Sequence, residues 1–232
     1  MKKGLLFPLF LFIALASYSQ KIGATFGLTS TNVSKVSIVN RITRATETVE
    51  TNPGLGIRTG LVLEYEYMSG ITLGVNGLYS TKSYKYNIAS EEIIEKFKFF
   101  EVPVYFGYTY TIDDKVGIIY NFFPIKIYLY GGLNFATGLS GANLSPIKPE
   151  DGILVIFDDT KTVDARKEIH YAKTNPQAMF QLGFLVGGLR LNVCYEFGLS
   201  NLANDEKETL KTKGFNFNLA YVYDFKQKRW PH

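Results

Sequence analysis

The clearest structural signal in the chain is the run Gly214-Phe215-Asn216-Phe217-Asn218-Leu219-Ala220-Tyr221-Val222-Tyr223-Asp224-Phe225. Every second residue of this run, from Phe215 to Phe225, is a large apolar or aromatic residue, and the residues between them are mainly small or polar. Successive side chains of a β-strand point to opposite faces of its sheet. The run therefore predicts a strand with one bulky face and one face of small and polar residues.

The same alternation recurs along most of the chain. Seven further segments follow it: Lys21–Leu28, Leu55–Tyr67, Ile71–Ser80, Phe100–Tyr110, Ile125–Gly138, Phe180–Gly187 and Leu189–Leu199. Strands of about ten residues are the length expected for tilted membrane strands, and no stretch after Gln20 approaches the roughly 20 apolar residues of a membrane helix. Together with the first run, these segments predict eight strands.

The connections between these segments are of two kinds. Met68-Ser69-Gly70 and Gly187-Gly188 are tight turns, whereas residues 29–53, 86–96, 140–175 and 200–213 are long and polar. Segment 112–124 is long for its position at the short-turn end. Short turns at one end and long loops at the other are typical of outer-membrane barrels. The sequence thus predicts an all-β fold, an eight-stranded antiparallel up-and-down transmembrane β-barrel.

The alternation alone leaves open which face of the barrel points outward. A soluble barrel of the lipocalin type encloses its apolar face around a ligand and exposes its charged face to water. The interior of an eight-stranded barrel is just wide enough for side chains, and aromatic residues from all eight strands would overfill it. The polar face also carries fewer Lys and Glu residues than a water-exposed surface normally does. We therefore expect the bulky face to contact lipid, with a soluble periplasmic lipid-binding barrel as the alternative.

The face assigned to the lumen carries charges of both signs. Its cations are Lys21, Arg58, Lys126 and Arg190, and its anions are Glu64, Glu66, Glu101, Glu196 and Asp224. Isolated buried charges are costly, so these residues are expected to pair, with the planar groups of Arg58 and Arg190 as hubs. Tyr105, Tyr128 and Tyr130 add bulk to the same interior. The sequence predicts a filled lumen that does not conduct, because wide channels need about twice as many strands.

Aromatic residues gather at the short-turn ends of the predicted strands. They are Tyr65, Tyr67, Tyr108, Tyr110, Tyr221, Tyr223 and Phe225. Aromatic rings are enriched at membrane–water interfaces. This group predicts one interfacial girdle.

The first residues have the features of a secretory signal peptide. Lys2 and Lys3 form a basic start, Gly4–Leu15 is apolar but too short to span a bilayer, and Ala16–Ser19 supplies small residues for cleavage. We predict a signal peptide at 1–19, an outer-membrane barrel at 20–225 and a basic C-terminal tail at 226–232. Loss of the peptide lowers the formal net charge from +4 to +2, since 23 basic residues then face 21 acidic ones. Such a balance excludes a nucleic-acid footprint.

Residues that could carry catalysis or bind metals are few. His170 lies near Asp158, Asp159 and Asp164 in sequence, but a solvated loop histidine is the expected reading because these residues specify no geometry. No pair of His or Cys has zinc-ligand spacing, and Cys194 fits as a small lumen residue. We expect no enzymatic activity, no cofactor and no metal.

Four short motifs are distributed over nearly the whole chain beyond residue 19. They are Gln20-Lys21-Ile22-Gly23, Phe99-Phe100-Glu101-Val102-Pro103-Val104, Tyr130-Gly131-Gly132-Leu133 and Leu219-Ala220-Tyr221-Val222-Tyr223-Asp224-Phe225. These motifs resemble the PorT-like outer-membrane β-barrel family. The resemblance implies a small OmpA-type barrel in a Gram-negative outer membrane, with a structural, assembly or type IX secretion-associated role. It also implies outer-membrane lipid and other envelope or secretion-system proteins as partners. A small transporter or porin and a lipid-modifying barrel enzyme remain alternatives.

Two local features are predicted in addition. Val36–Val39 and Ile153–Phe157 are short apolar runs inside long loops, and five apolar residues cannot cross a bilayer, so we expect hairpins that stand above the membrane. Pro103 removes a ladder donor in mid-strand. A bulge is therefore expected at Glu101–Pro103.

Overall fold

A computed structural model describes residues 21–33, 36–39, 46–67, 69–88, 91–112, 125–144, 153–157, 168–203 and 210–225. Its twelve β-strands are β1 (Lys21–Val33), β2 (Val36–Val39), β3 (Thr46–Val49), β4 (Thr51–Glu66), β5 (Ile71–Ile88), β6 (Glu91–Thr111), β7 (Ile125–Leu144), β8 (Ile153–Phe157), β9 (Glu168–Tyr171), β10 (Thr174–Val186), β11 (Leu189–Gly198) and β12 (Thr212–Asp224). The described part of the chain contains no helix with the length and apolarity that a bilayer crossing requires. The predicted signal peptide, the basic tail and most of segment 112–124 lie outside the described residues.

Eight of these strands close into a barrel in which every neighbouring pair is antiparallel. Around the barrel they follow the order β1, β4, β5, β6, β7, β10, β11 and β12, and β12 returns to β1. At the closure, Lys21 pairs with Asp224 and Val33 pairs with Thr212. The predicted eight-stranded antiparallel up-and-down barrel is confirmed.

Tight turns join strands at one end of the barrel, which we call the short-turn end; the opposite end is the long-loop end. Gly187 and Gly188 connect β10 to β11 with φ values of 56° and 92°. A type I′ hairpin turn requires positive φ at both central residues. Gly70, with φ of 83°, lies between β4 and β5. Both turns lie where the sequence predicted them.

The barrel wall has opposite chemistry on its two faces. Large apolar side chains point outward, and Phe106, Leu129 and Phe217 retain 65%, 60% and 56% of their surface. Inward side chains are mainly polar or small, and Glu101 and Asn134 are completely buried there. A soluble monomer rarely exposes an apolar surface of this extent. The wall is that of a transmembrane barrel, and it does not fit the lipocalin-type alternative.

Strands β4 to β7 are longer than the predicted ten residues, with 16, 18, 21 and 20 residues. The expected loop at 86–96 is therefore wrong, since β5 runs to Ile88 and β6 starts at Glu91. The outward side chains of β5 and β6 become mainly polar beyond Tyr79 and Phe100, so the extra length of these two strands lies beyond the apolar belt. This extension forms because its inward side chains have a core of their own, described below.

Two smaller β elements stand at the long-loop end. β2 and β3 form an antiparallel hairpin, as predicted for Val36–Val39. β8 also forms and pairs with β7 at Gly141–Asn143, beyond the last β7–β10 pair at Thr137, so it adds no strand to the closed wall. The prediction of a hairpin is wrong for β8, because β9 runs parallel to it. β9 leads directly into β10, which must run antiparallel to β7, and it therefore shares the direction of β8.

The strand irregularities lie away from the expected position. Pro103 keeps an in-register partner, Asn134 of β7, and the bulge predicted at Glu101–Pro103 is wrong. The β5–β6 ladder is interrupted beside Pro103, which agrees with a missing N–H on that side. The register shifts lie instead between Pro53 and Arg58 of β4 and between Lys98 and Phe99 of β6.

Candidate functional site

The inward side chains form a continuous filling of the lumen, and this filling is the candidate site. Arg58, Lys82, Glu101 and Glu196, from four different strands, form what we call the central ion cluster. Arg58 Nη2 lies 2.7 Å from Glu101 Oε2 and 2.8 Å from Glu196 Oε1. Lys82 Nζ lies 2.6 Å from Glu101 Oε1 and 3.1 Å from Glu196 Oε2. Each cation thus contacts both carboxylates, and all four side chains are buried.

Neutral polar groups surround the central ion cluster. Ser80 Oγ donates a hydrogen bond of 2.8 Å to Glu101, and Asn134 Nδ2 donates one of 3.3 Å to Glu196. Gln177 Oε1 accepts a bond of 3.2 Å from the Lys82 ammonium group. Buried charges are tolerated only when they are paired and hydrogen-bonded. These contacts supply hydrogen bonds to Glu101, Glu196 and Lys82, while Arg58 is held by its two ion pairs.

A second ion pair lies nearer the short-turn end. Arg190 Nη2 donates to Glu64 Oε2 at 2.6 Å, and the Tyr105 hydroxyl donates to the same carboxylate at 2.7 Å. The Arg190 guanidinium carbon lies 4.9 Å from the centre of the Tyr128 ring, a cation–π contact. The Tyr130 ring stacks on both other tyrosines, with centroid distances of 5.3 Å to Tyr105 and 4.5 Å to Tyr128. Three tyrosines thus fill the cross-section beside the ion pair.

Glycine makes room for these rings. A Cβ atom at Gly74 would lie 2.3 Å from ring atoms of Tyr105, and one at Gly183 would lie 2.5 Å from the Tyr128 hydroxyl. Real Cβ contacts are never this short, so each ring lies against bare backbone. The glycines on the polar face therefore accommodate large side chains from other strands.

The lumen meets solvent at the short-turn end, where Glu66 binds two lysines. Lys126 Nζ lies 3.0 Å from Glu66 Oε1, and Lys21 Nζ contacts Glu66 Oε2. The side chains of Glu66 and Lys126 retain 16% and 19% of their surface. This ionic group closes the short-turn end without being sealed from water.

Aromatic rings close the long-loop end. We call this group the aromatic plug; its members are Tyr84, Phe97, Phe99, Phe157 and Tyr171. The Phe97 ring lies 5.7 Å from Tyr84, 5.7 Å from Tyr171 and 5.8 Å from Phe157, between ring centroids. Phe157 is the last residue of β8, so β8 contributes the Phe157 ring to the barrel mouth.

The aromatic plug borders a buried carboxylate, Glu95. The hydroxyls of Tyr86 and Tyr171 donate to it at 3.1 Å, and the Tyr84 hydroxyl donates to it as well. Burial and the Glu95 carboxylate raise the pKa of the Tyr84 hydroxyl well above its ordinary value. That hydroxyl therefore stays protonated and remains a donor at neutral pH.

Two small cavities lie between lumen side chains of the described residues. A cavity of about 30 Å³ lies beside Lys21 and Lys126, and one of about 20 Å³ lies beside Arg58 and Arg190. Spaces of this size hold a water molecule or two. Larger concave regions, of about 750 and 480 Å³, are lined mainly by outward residues of the wall.

The structure brings together eight of the nine charged residues that the sequence assigned to the lumen, and the ninth, Asp224, borders the small cavity beside Lys21 and Lys126. Ion pairs involve Lys21, Arg58, Glu64, Glu66, Glu101, Lys126, Arg190 and Glu196. Sequence reasoning missed Lys82, because the alternation was followed only to Ser80; two further residues would have placed it on the inward face. It also missed Glu95, which lies in a segment whose polarity indicated a loop.

The predicted girdle residues lie at the short-turn ends of β4, β6 and β12. The exposed fractions of Tyr67, Tyr108, Tyr110, Tyr221, Tyr223 and Phe225 range from 48% to 63%. Tyr65 is half-buried, with its ring centroid 4.7 Å from that of Tyr67. Their interfacial role stays a prediction.

Within the described residues, no group of three or more His, Cys, Asp and Glu side chains could hold a metal ion. Cys194 is buried in the lumen, with Sγ 4.0 Å from a Glu196 oxygen. The side chain of His170 and residues Asp158, Asp159 and Asp164 lie outside the described part of the chain. The expectation of a solvated loop histidine at His170 therefore stays a prediction.

Comparison with known proteins gives structural matches alone. No family model and no curated protein matches this chain. Ail, the attachment invasion locus protein of Yersinia pestis, is 11% identical over 88% of this chain and 99% of its own, with a TM-score of 0.37. OprG from Pseudomonas aeruginosa is 8% identical over 89% and 97%, with a TM-score of 0.40. AlkL in DMPC bilayers is 14% identical over 91% and 94%, with a TM-score of 0.40. The PorT-like resemblance stays a prediction.

Proposed function

We propose that this chain is an integral outer-membrane protein whose barrel is a closed scaffold, acting through its wall and its long-loop end. The observation that carries the proposal is an exposed apolar belt around a lumen filled with paired charges. A closed barrel can satisfy all its backbone groups within a bilayer, and an apolar outer wall favours lipid over water. The predicted signal peptide at 1–19 supports export to the outer membrane.

The filling of the lumen supports a barrel that does not conduct. An ion passing the central ion cluster would have to separate pairs of buried charges, and a buried charge without a counter-charge is costly. Barrels with a water channel have about twice as many strands. A small transporter or porin is therefore less well supported than a closed barrel.

The same filling argues against an enzyme that modifies lipids. Such an enzyme needs a nucleophile or general base within reach of substrate. The lumen carboxylates of the central ion cluster are engaged by cations, and Cys194 is enclosed with them. These features support a function without catalysis or a cofactor.

The role that remains is one of contact with other molecules of the envelope. The resemblance to PorT-like barrels supports a structural, assembly or type IX secretion-associated role, with outer-membrane lipid and envelope proteins as partners. Purification of the intact barrel from outer membranes tests this role through the envelope components that accompany it.

Planar-bilayer recording tests the closed barrel directly. We expect refolded protein to migrate as a heat-modifiable band on gels and to give no single-channel steps, while a sixteen-stranded porin inserted in the same way conducts. Stable ion-selective steps from the heat-modifiable protein would contradict the closed lumen. Recovery of the mature protein wholly in the soluble periplasm would contradict the membrane location.

A further inference from the structure

A groove on the outer wall near the long-loop end joins cationic and apolar side chains. Its volume is about 480 Å³, and it crosses the outer faces of β4, β5, β6 and β7. Thr81 pairs with Lys98 across β5 and β6, and Ser83 pairs with Lys96 in the next row. Leu55 and Ile57 line the β4 side of the groove.

Two register shifts flank the groove and account for its concave shape. One lies in β4 between Pro53 and Arg58, and the other lies on the far side, where β6 meets β7 at Lys98 and Phe99. Such irregularities bend a strand and increase its twist. At the β4 side, Ile57 N donates to Thr81 Oγ1 at 2.9 Å, and Ser83 Oγ donates to Leu55 O at 2.8 Å. Side-chain hydrogen bonds therefore hold the bent wall in place.

The lysines of the groove are available to a ligand. Lys96 and Lys98 are exposed, and the part of the chain that the structure describes offers neither of them an ion pair. Lys85, by contrast, lies 3.2 Å from Glu92. Lys96 and Lys98 are two residues apart on one face of β6, which separates their Cα atoms by about 7 Å. Both ammonium groups can therefore reach the phosphates of a single headgroup.

The groove lies at the upper edge of the apolar belt. Phe100 lies two residues below Lys98 on the same outward face and pairs with Tyr79 of β5. The Phe100 and Tyr79 side chains are 44% and 38% exposed. Leu55, on β4 and separated from the lysines by β5, is 79% exposed. Cations thus stand directly above apolar surface. This arrangement is complementary to a lipid of the outer leaflet, whose anionic phosphorylated headgroup lies above its apolar acyl chains.

We propose that this groove binds a phosphorylated lipid of the outer leaflet. The headgroup phosphates lie between Lys96 and Lys98, and an acyl chain lies along Leu55 and Ile57. The Thr81 hydroxyl accepts the Ile57 N–H and keeps its own proton to donate to a phosphate oxygen. This inference rests on the proposed membrane location.

Native mass spectrometry of the full-length refolded barrel in neutral detergent micelles tests the inference. The probe is bisphosphorylated lipid A, compared with the same lipid after removal of its phosphates. We expect the phosphorylated lipid to bind more tightly, and Lys96→Gln and Lys98→Gln each to weaken its binding about fivefold, the effect of one surface lysine on anionic lipid. Lys85→Gln, which removes an outward lysine that is already ion-paired, is the matched control and should leave binding unchanged.

Three results would overturn the inference. They are equal binding of the dephosphorylated lipid, equal binding by the Lys96→Gln/Lys98→Gln double variant, and full displacement of the lipid by an excess of inorganic phosphate, which would indicate a site for the free ion. Heat-modifiable migration shows that each variant is folded. A barrel that folds in micelles but fails these tests refutes the groove alone, whereas a protein that is wholly soluble refutes the membrane proposal.

Discussion

At the scale of single residues, the lumen depends on buried carboxylates. Glu101 is completely buried and stands between the Arg58 guanidinium group and the Lys82 ammonium group, with Ser80 as a further donor. Such a group contributes mainly by preventing its partners from being buried without a counter-charge. Its removal leaves two cations facing Glu196 alone.

We predict that Glu101→Ala lowers the free energy of unfolding of the barrel by about 3–5 kcal/mol, the cost of leaving buried charge unpaired. Urea unfolding of the refolded protein in lipid vesicles measures this loss. The matched control is Glu92→Ala, which removes a carboxylate from the exposed pair with Lys85 and should cost less than about 1 kcal/mol. Equal losses of unfolding free energy in the two variants would show that the cations of the central ion cluster do not need Glu101 as a counter-charge.

At the scale of elements, β8 is held by side-chain packing as much as by its short ladder. Only three residue pairs join β8 to β7. The Phe157 ring at its end packs against Phe97 and Phe99 and covers Gly138 so closely that a Cβ atom there would lie 2.1 Å from the ring. The packing of the Phe157 ring against β7 therefore requires a glycine at position 138.

We predict that Gly138→Val displaces Phe157 and loosens β8, with amide hydrogen exchange of residues 153–157 faster by about tenfold or more, as overpacking costs about 1–3 kcal/mol. Gly131→Val on the same strand is the control, because a Cβ atom there meets nothing nearer than 3.8 Å. Unchanged amide hydrogen exchange of residues 153–157 in Gly138→Val, or equal acceleration in both variants, would refute the packing of Phe157 over Gly138.

At the scale of the whole molecule, the barrel is filled from end to end. Glu66 with its lysines stands at the short-turn end, the Arg190–Glu64 pair and the central ion cluster occupy the middle, and the aromatic plug stands at the long-loop end. Cys194, the one cysteine of the chain, lies within this filling. Its thiol therefore reports whether the lumen is open.

We predict that a charged maleimide leaves Cys194 unmodified in the folded barrel in lipid and modifies it fully after unfolding in urea, since the reagent cannot enter a filled lumen. Mass spectrometry of the intact protein measures the labelled fraction. Asn87→Cys in a Cys194→Ser background places an exposed thiol at the long-loop end and should react at once. Rapid labelling of Cys194 in the heat-modifiable form would refute the closed lumen.

Much of the barrel could be predicted from the sequence, because a strand carries its two faces in a period of two that needs no partner to be recognised. The number of barrel strands and the placement of the charged residues on one shared face follow from this local rule. The tight turns at Gly70 and at Gly187-Gly188 follow from their glycines, and the outward direction of the apolar face needed a further argument, the narrow interior of an eight-stranded barrel. Following the alternation beyond Ser80 would have added Lys82 by the same rule.

Pairing between distant residues was decided by the tertiary structure. Arg190 meets Glu64 across 126 residues of sequence, and that choice depends on strand register, which is set by contacts around the closed barrel. The same holds for the parallel course of β9 and for the aromatic plug, whose rings come from four strands. It also holds for the groove at Lys96 and Lys98, which depends on two register shifts. A local pattern specifies the face of the strand on which a side chain lies. The register between paired strands specifies which side chains of other strands it contacts.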